Sequence, residues 1–276
     1  MLVESQRPAG TVRGEIILVH GLEGSAQAGY MLGAAARGLA AGYAVHRLNL
    51  RTCGGTEGLS KIGYHGGLTS DLLAVLRQVA ERGPVWLVGF SLGGNLVAKL
   101  AGELGGEGPA LLAGVCAVSA AIDLGACAKR IGQPDNRLYA SRFLRLMRAR
   151  AIGVWGCKQG DLRGIRTVVE MDDRVTAPRF GFRGAGHYYS SQSANQFLAE
   201  IRVPTLFITA KDDTFIPFEI YNHPAFDQNP CLQLFATEHG GHLGFLAKEM
   251  PRFWLDHAIM KWIGGGTIAP LHSSGY

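Results

Sequence analysis

The chain has 276 residues, of which 47% are hydrophobic and 18% charged, and carries a formal charge of +5. That is enough apolar material for one large core, and a single domain with an insertion is the expected organisation. The positive charges are dispersed except in one segment and no basic stripe interleaved with aromatics appears, so nucleic acid is not an expected partner. Cys53, Cys116, Cys127, Cys157 and Cys231 are odd in number and scattered without a C-x-x-C pair, which fits reduced thiols better than a zinc site or a disulfide framework. No stretch approaches the roughly 20 apolar residues of a membrane span, and residues 1–14 hold no charged-then-apolar leader. The expectation is a soluble, cytoplasmic protein.

In chain order, short apolar runs predict strands at 16–20, 44–50, 86–90, 114–120, 205–210 and 232–237. Segments 31–41, 69–81 and 94–104 between the first four have the spacing of crossover helices, which gives the βαβ rhythm of a mostly parallel, doubly wound sheet. The rhythm breaks at about 122 and resumes near 201. Residues 1–121 and 201–276 are therefore expected to form the core, with 122–200 inserted as a helical cap.

The chemistry begins at Gly89-Phe90-Ser91-Leu92-Gly93, a G-x-S-x-G between a predicted strand and a predicted helix. That context makes it a candidate nucleophile elbow, because small neighbours let a sharp turn lift Ser91 clear of the backbone. Upstream, His20-Gly21-Leu22-Glu23-Gly24 follows another strand, so the amides of Leu22 and Leu92 become candidates for an oxyanion hole. His20 and Gly21 read as support for that loop. An acid and a histidine must then follow in that order. Lys211-Asp212-Asp213 and His239-Gly240-Gly241-His242 both end predicted strands. Asp213 is preferred to Asp212 for its spacing to Pro217, and His242 to His239 because the glycines before it permit a reaching loop. Asp212 is left to cap or solvate its loop.

These strings resemble the bacterial YheT-like hydrolases, a group related to the ABHD-type hydrolases of mammals. The resemblance rests on His20-Gly21-Leu22-Glu23-Gly24-Ser25, on residues 49–56 and 64–67, on the elbow through Asn95, on Ala210-Lys211-Asp212-Asp213 and on residues 238–245. It implies an α/β-hydrolase fold and an esterase or lipid-ester hydrolase with Ser91, Asp213 and His242 as its triad. Similar proteins carry a longer N-terminal segment, so the sheet edge is expected to be abbreviated here. Thr52 stands where the group commonly has glycine. No metal or organic cofactor is called for, and serine at position 91, rather than aspartate, argues against dehalogenase or epoxide hydrolase chemistry.

Arg51 and His65 stand near the inferred site. Arg51 reads first as a salt bridge holding its loop, and His65 as a pocket wall or a structural histidine. Within the cap, Arg142, Arg145 and Arg148 recur every three positions beside Leu138, Phe143, Leu144 and Met147. This basic amphipathic helix is expected to cover the pocket with its arginines solvated or paired to Glu170, Asp172 and Asp173, or else to rest on anionic lipid. The expected substrate is a small-molecule carboxylic ester. An acyltransferase, or a non-catalytic partner- or membrane-binding protein that keeps the fold, are the alternatives.

Overall fold

The computed structural model describes residues 1–268, 270 and 271, so the end of the expected core segment, 269 and 272–276, lies outside the described residues. In chain order the elements are β1 (Leu2–Gln6), β2 (Glu15–Val19), α1 (Gly29–Ala40), β3 (Ala44–Asn49), α2 (Thr69–Ala80), β4 (Val85–Phe90), α3 (Leu92–Leu104), α4 (Gly108–Leu111) and β5 (Gly114–Val118). After these come α5 (Leu124–Ile131), α6 (Arg137–Gly153), α7 (Val168–Met171), α8 (Ala177–Arg179) and α9 (Ala185–Gln192). Last are β6 (Thr205–Ala210), α10 (Ala225–Gln228), β7 (Leu232–Thr237) and α11 (Trp254–Ile263). The six expected strands lie within two residues of their expected ends. The first, β1, was not expected: it is short, polar at Glu4, Ser5 and Gln6, and half exposed, so it lacks the apolar run that announces the others.

The seven strands lie in the order β1-β3-β2-β4-β5-β6-β7. Only β1 is antiparallel, paired to β3, and it forms one edge of the sheet where an abbreviated edge was expected. β2, β3, β5 and β6 are buried along their whole length, as strands covered on both faces are, and the polar His46, Arg47 and Asn49 of β3 are buried with hydrogen-bond partners. On one face α1 and α11 bury Met31, Ala34, Ala35, Leu255 and Ile259 against Ile16, Leu18, Val88 and Phe90. On the other, α3 packs Leu96, Val97 and Leu100 against Ile17, Leu87 and Val115. Each such fully buried aliphatic side chain contributes roughly 1.5–3 kcal/mol.

This packing fixes where reactive groups can stand. Ligands of open α/β sheets bind beyond the carboxyl ends of the strands, where the strand order reverses. Here the order reverses at β2, whose neighbour β4 pairs Gly89 with Val19, so the loop after β2 and the elbow after β4 emerge side by side. Helices α5 to α9 lie between β5 and β6 in the chain. Backbone N–H of Asn195 donates to the carbonyl of Ile122 at 2.9 Å, which joins the start of this helical insertion to its end.

Candidate active site

Ser91 occupies a left-handed backbone position, φ 55° and ψ −116°, between β4 and α3. Such a conformation is strained for a residue with a Cβ and persists only where the surroundings impose it. They do so through the Ser91 N–H, which donates to Val118 O at 2.8 Å, and the Ser91 carbonyl, which accepts from Ala121 N–H and Asn95 N–H, each at 3.2 Å. The turn is tight enough that a Cβ on Gly89 would stand 2.2 Å from Gly93 O, and one on Gly93 2.3 Å from Val19 O. Glycine is thus obligatory on both sides, and α3 begins directly beneath the serine with its N-terminal dipole toward it.

The loop after β2 comes to the same place. A Cβ on Gly21 would lie 3.0 Å from Ser91 Cβ. The Leu50 N–H donates to Nε2 of His20 at 3.1 Å, so the ring proton sits on Nδ1, which donates to Gly21 O at 2.8 Å. Gly24 N–H donates to the same carbonyl at 3.0 Å. Because a trans peptide sets its N–H opposite its C=O, holding the Gly21 carbonyl also fixes the direction of the Leu22 N–H. Burial pushes the His20 imidazole down to about 4, so it performs this role neutral. The structure thus places His20 as a loop-orienting group.

Asp213 and His242 meet at the opposite side, Oδ2 to Nδ1 at 2.8 Å, with the Asp213 side chain wholly buried. The other oxygen, Oδ1, accepts from Phe215 N–H at 2.8 Å and Ile216 N–H at 3.1 Å. Asp212 does different work. Its Oδ1 accepts from Gly240 N–H (2.9 Å) and Gly241 N–H (2.8 Å), and its Oδ2 lies 3.2 Å from His239 Nδ1. It therefore clamps the loop that carries His242, whose own carbonyl accepts from Ser119 Oγ at 2.5 Å.

Ser91 stands where two hollows meet. The outer one is a groove lined by Gly21, Leu22, Tyr30, Arg142, Phe143 and His242, among others. The inner one runs from Ser91 beneath the helices of the insertion. Its wall is mostly apolar, with Leu92, Leu124, Ile131, Met147, Val168 and Phe215, but three charged groups stand in it. Glu23 and Arg150 are paired there at 2.5 Å with side chains 6% and 9% exposed. Asp172, on a π-helical turn between α7 and α8, accepts from Tyr189 OH at 2.7 Å. Burial pushes the Glu23 carboxyl up to about 7 against the pull of Arg150, and burial alone carries Asp172 to about 6.

His65 lines the inner hollow within reach of the rings of Phe180, Phe182 and Tyr188. Arg51 does not reach either hollow; it makes a bidentate pair with Asp71 at 2.5 Å. Thr52 beside it has φ 62°, the left-handed region that glycine adopts without strain. Of the two arrangements expected for Arg142, Arg145 and Arg148, solvated or paired with Glu170, Asp172 and Asp173, the pairing with those acids does not form. Glu170 caps its own helix at Arg166 N–H and Thr167 N–H, Asp173 accepts from Ala185 N–H, and Asp172 is taken by Tyr189. Arg142 and Arg145 are exposed, whereas Arg148 is half-buried and donates to the Ile165 carbonyl.

Two contributors escaped the sequence reading. Asn95, fully buried, donates to Gly66 O and Gln192 O and accepts from Ala194 N–H, tying α3 to the 64–67 loop and to the end of the insertion. The Glu23–Arg150 pair is the other. An acid inside a glycine loop, next to the candidate oxyanion amide of Leu22, was its one available signal.

The model of the alpha/beta hydrolase family matches residues 16–256. The chain belongs to this family. Within it, this α/β-hydrolase is 32% identical to the putative esterase YheT of Escherichia coli, over 95% of this chain and 80% of that protein. It is 29% identical to the phospholipase ABHD3 of Mus musculus over 92% of this chain, spanning 64% of that protein's length. Among solved structures, Est1E from Butyrivibrio proteoclasticus with ferulic acid bound superposes with a TM-score of 0.61 at 14% identity, covering 96% of this chain and 94% of that one, a likeness of fold. No helix among the described residues of this hydrolase is long and apolar enough to cross a membrane. Nor, among them, do three or more His, Cys, Asp or Glu side chains gather as a metal site would require.

Proposed function

We propose that this chain hydrolyses carboxylic esters with lipid-like acyl groups through a Ser91 acyl-enzyme. The observation that carries this reading is the buried Asp213–His242 hydrogen bond at 2.8 Å on a groove that Ser91 also lines, beside a mostly apolar hollow. Relatives named as an esterase and a phospholipase support ester cleavage in general.

Asp213 accepts the Nδ1–H of His242, which leaves Nε2 free to take the Ser91 proton as Oγ attacks the ester carbonyl. The amides of Leu22 and Leu92 donate to the oxyanion; losing one such donor costs on the order of 100- to 1,000-fold in turnover. Collapse expels the alcohol, protonated by His242, and water activated by the same ring releases the acid. The acyl chain occupies the inner hollow and the alcohol leaves through the outer groove.

A chain-length series of p-nitrophenyl and glyceryl esters, with Ser91→Ala as control, tests this. Turnover by the control equal to that of the wild type would refute it. Adding an alcohol to the same assay separates hydrolysis from acyl transfer: a transferase yields the new ester at the expense of the free acid.

A second proposal concerns partners. On α6, Arg142 and Arg145 are exposed together with Leu138 (77%) and Tyr139 (53%), and Arg142 stands at the outer groove. Cations among exposed apolar side chains suit an anionic lipid surface, from which an amphiphilic ester could enter the groove.

A further inference from the structure

The inner hollow holds a charge pair that the triad does not use. Glu23 directly follows Leu22, whose amide is assigned to the oxyanion, and has a strained φ of 54°. Three contacts hold it there. Its N–H donates to Tyr64 OH at 2.9 Å, its carboxylate grips Arg150 at 2.5 Å, and the Arg150 guanidinium stacks 4.4 Å over the same Tyr64 ring. The same guanidinium reaches Cys53 Sγ at 3.4 Å. Arg150 belongs to α6, so a helix of the insertion grips the oxyanion loop one residue from its working amide.

A buried ion pair is a poor source of stability, since desolvation offsets most of the attraction; its best-attested use is to fix one arrangement against others. Here Glu23 Oε1 and Arg150 Nε are both buried without a partner, so the pair is incompletely satisfied even as it stands. An apolar pair would fill the hollow's wall at lower cost. What Arg150 supplies is a directional hold, by a planar fork, on a residue that would otherwise relax from the left-handed region.

We propose that Arg150 is a positioning residue that acts through Glu23 to set the Leu22 amide, so that seating α6 over the hollow and completing the oxyanion hole are one event. This rests on the esterase reading above. It makes catalysis conditional on the position of the insertion: with α6 displaced, Glu23 relaxes, the turn that brings Gly24 N–H to the Gly21 carbonyl opens, and the Leu22 amide is left to the His20 bond alone. The groups facing the pair are Tyr64, Cys53 and Asp172, with His20 behind them.

The experiment compares Arg150→Ala, Arg150→Lys and the neutral double variant Glu23→Gln/Arg150→Gln with the wild type, after confirming by circular dichroism that each is folded. The double variant is included because Arg150→Ala strands a buried carboxylate and could fail to fold. All three should lose roughly 10- to 100-fold in kcat, less than a whole oxyanion donor is worth, with KM changed by less than about 3-fold. Methylguanidinium should restore kcat to Arg150→Ala without altering KM. Hydrogen exchange of the 20–25 peptide should quicken in every variant.

A rise in KM at unchanged kcat would reduce Arg150 to a piece of pocket wall and overturn the proposal. So would unchanged exchange at 20–25 in folded variants. If the wild type cleaves no ester, the esterase reading fails instead; exchange then still decides whether Arg150 orders the loop.

Discussion

Nδ1 of His242 lies 2.8 Å from Oδ2 of Asp213, while the adjacent carboxylate, Asp212, holds the backbone of the His242 loop at Gly240 and Gly241. Two neighbouring acids thus divide the work, one holding the His242 ring and the other the loop that carries it. Asp213→Asn should cut turnover by about 10⁴, because the amide favours the wrong imidazole tautomer. Asp212→Asn keeps an acceptor for the two amides and should cost about 10-fold or less. His242→Ala and His239→Ala should separate in the same way. Steady-state kinetics on the four proteins check the assignment, and equal losses at Asp212 and Asp213 would contradict it.

A second serine, Ser5, stands in a serine–histidine–carboxylate chain of hydrogen bonds. Ser5 Oγ lies 2.7 Å from His46 Nδ1, and His46 Nε2 lies 2.7 Å from Glu15 Oε2. Here the network ties β1 to β3 and β2, Glu15 is also held by Arg7, and Ser5 lines neither hollow of the site. A fluorophosphonate should therefore label Ser91 and leave Ser5 unmodified, and Ser91→Ala should abolish labelling. Peptide mapping by mass spectrometry reads the result; an adduct on Ser5 would mean that its hydrogen-bond chain suffices without an oxyanion hole.

The buried His65 should make stability depend on pH. Burial, with Lys99 and Arg51 adding to it, pushes its imidazole down from 6.5 to about 4. Between those values the unfolded chain binds a proton that the folded chain does not, so stability is full above about pH 6.5 and declines as pH falls toward 4. The slope for one such group approaches about 1.4 kcal/mol per pH unit. Glu23 and Asp172, raised in the fold, work in the opposite direction, which masks the effect in the wild type alone. The difference between wild type and His65→Phe isolates it: the wild type should lose up to about 3 kcal/mol relative to the variant from pH 6.5 to 4. Urea midpoints across that range measure this, and parallel curves would show that His65 protonates freely in the fold.

Arg142→Gln/Arg145→Gln should weaken binding to anionic vesicles without slowing hydrolysis of a soluble short-chain ester. Each arginine near such a surface is worth about 1 kcal/mol, so the pair should change partitioning roughly 30-fold at low salt, and less as salt screens it. Arg148 is left in place because its bond to Ile165 is structural. Co-sedimentation is the readout; equal binding by both proteins would dismiss the lipid contact.

Much of this was legible in the sequence because it is local. The six apolar strands announce themselves by composition, and the elbow, the His20-Gly21 loop, Asp213 and His242 each sit directly after one of them. Strand ends in a parallel sheet converge, so chain order alone brought these residues to one rim. The remainder depended on partners remote in the chain. Glu23 and Arg150 are separated by 127 positions, and nothing periodic marks Arg150 as different from the arginines beside it. Glu170, Asp172 and Asp173 looked like counter-ions for those arginines, yet each was claimed by a helix cap or a tyrosine. The strand β1 went unread because an edge strand need not be apolar.

The backbone bond from Asn195 N–H to Ile122 O closes the helical insertion at its neck, and β5 and β6, which it connects, are adjacent parallel neighbours in the sheet. The insertion therefore has two natural graft points, provided that the bonds of Asn95 to Gln192 and Ala194 are kept. A helical segment from another hydrolase could be grafted at 122 and 195 with Ser91, Asp213 and His242 left on their own strands, and the graft would replace most of the inner hollow's wall. With the acyl chain in the inner hollow, as proposed above, such a chimera would inherit its acyl preference from the donor. It would work at full speed only if the donor segment also brings an arginine to Glu23.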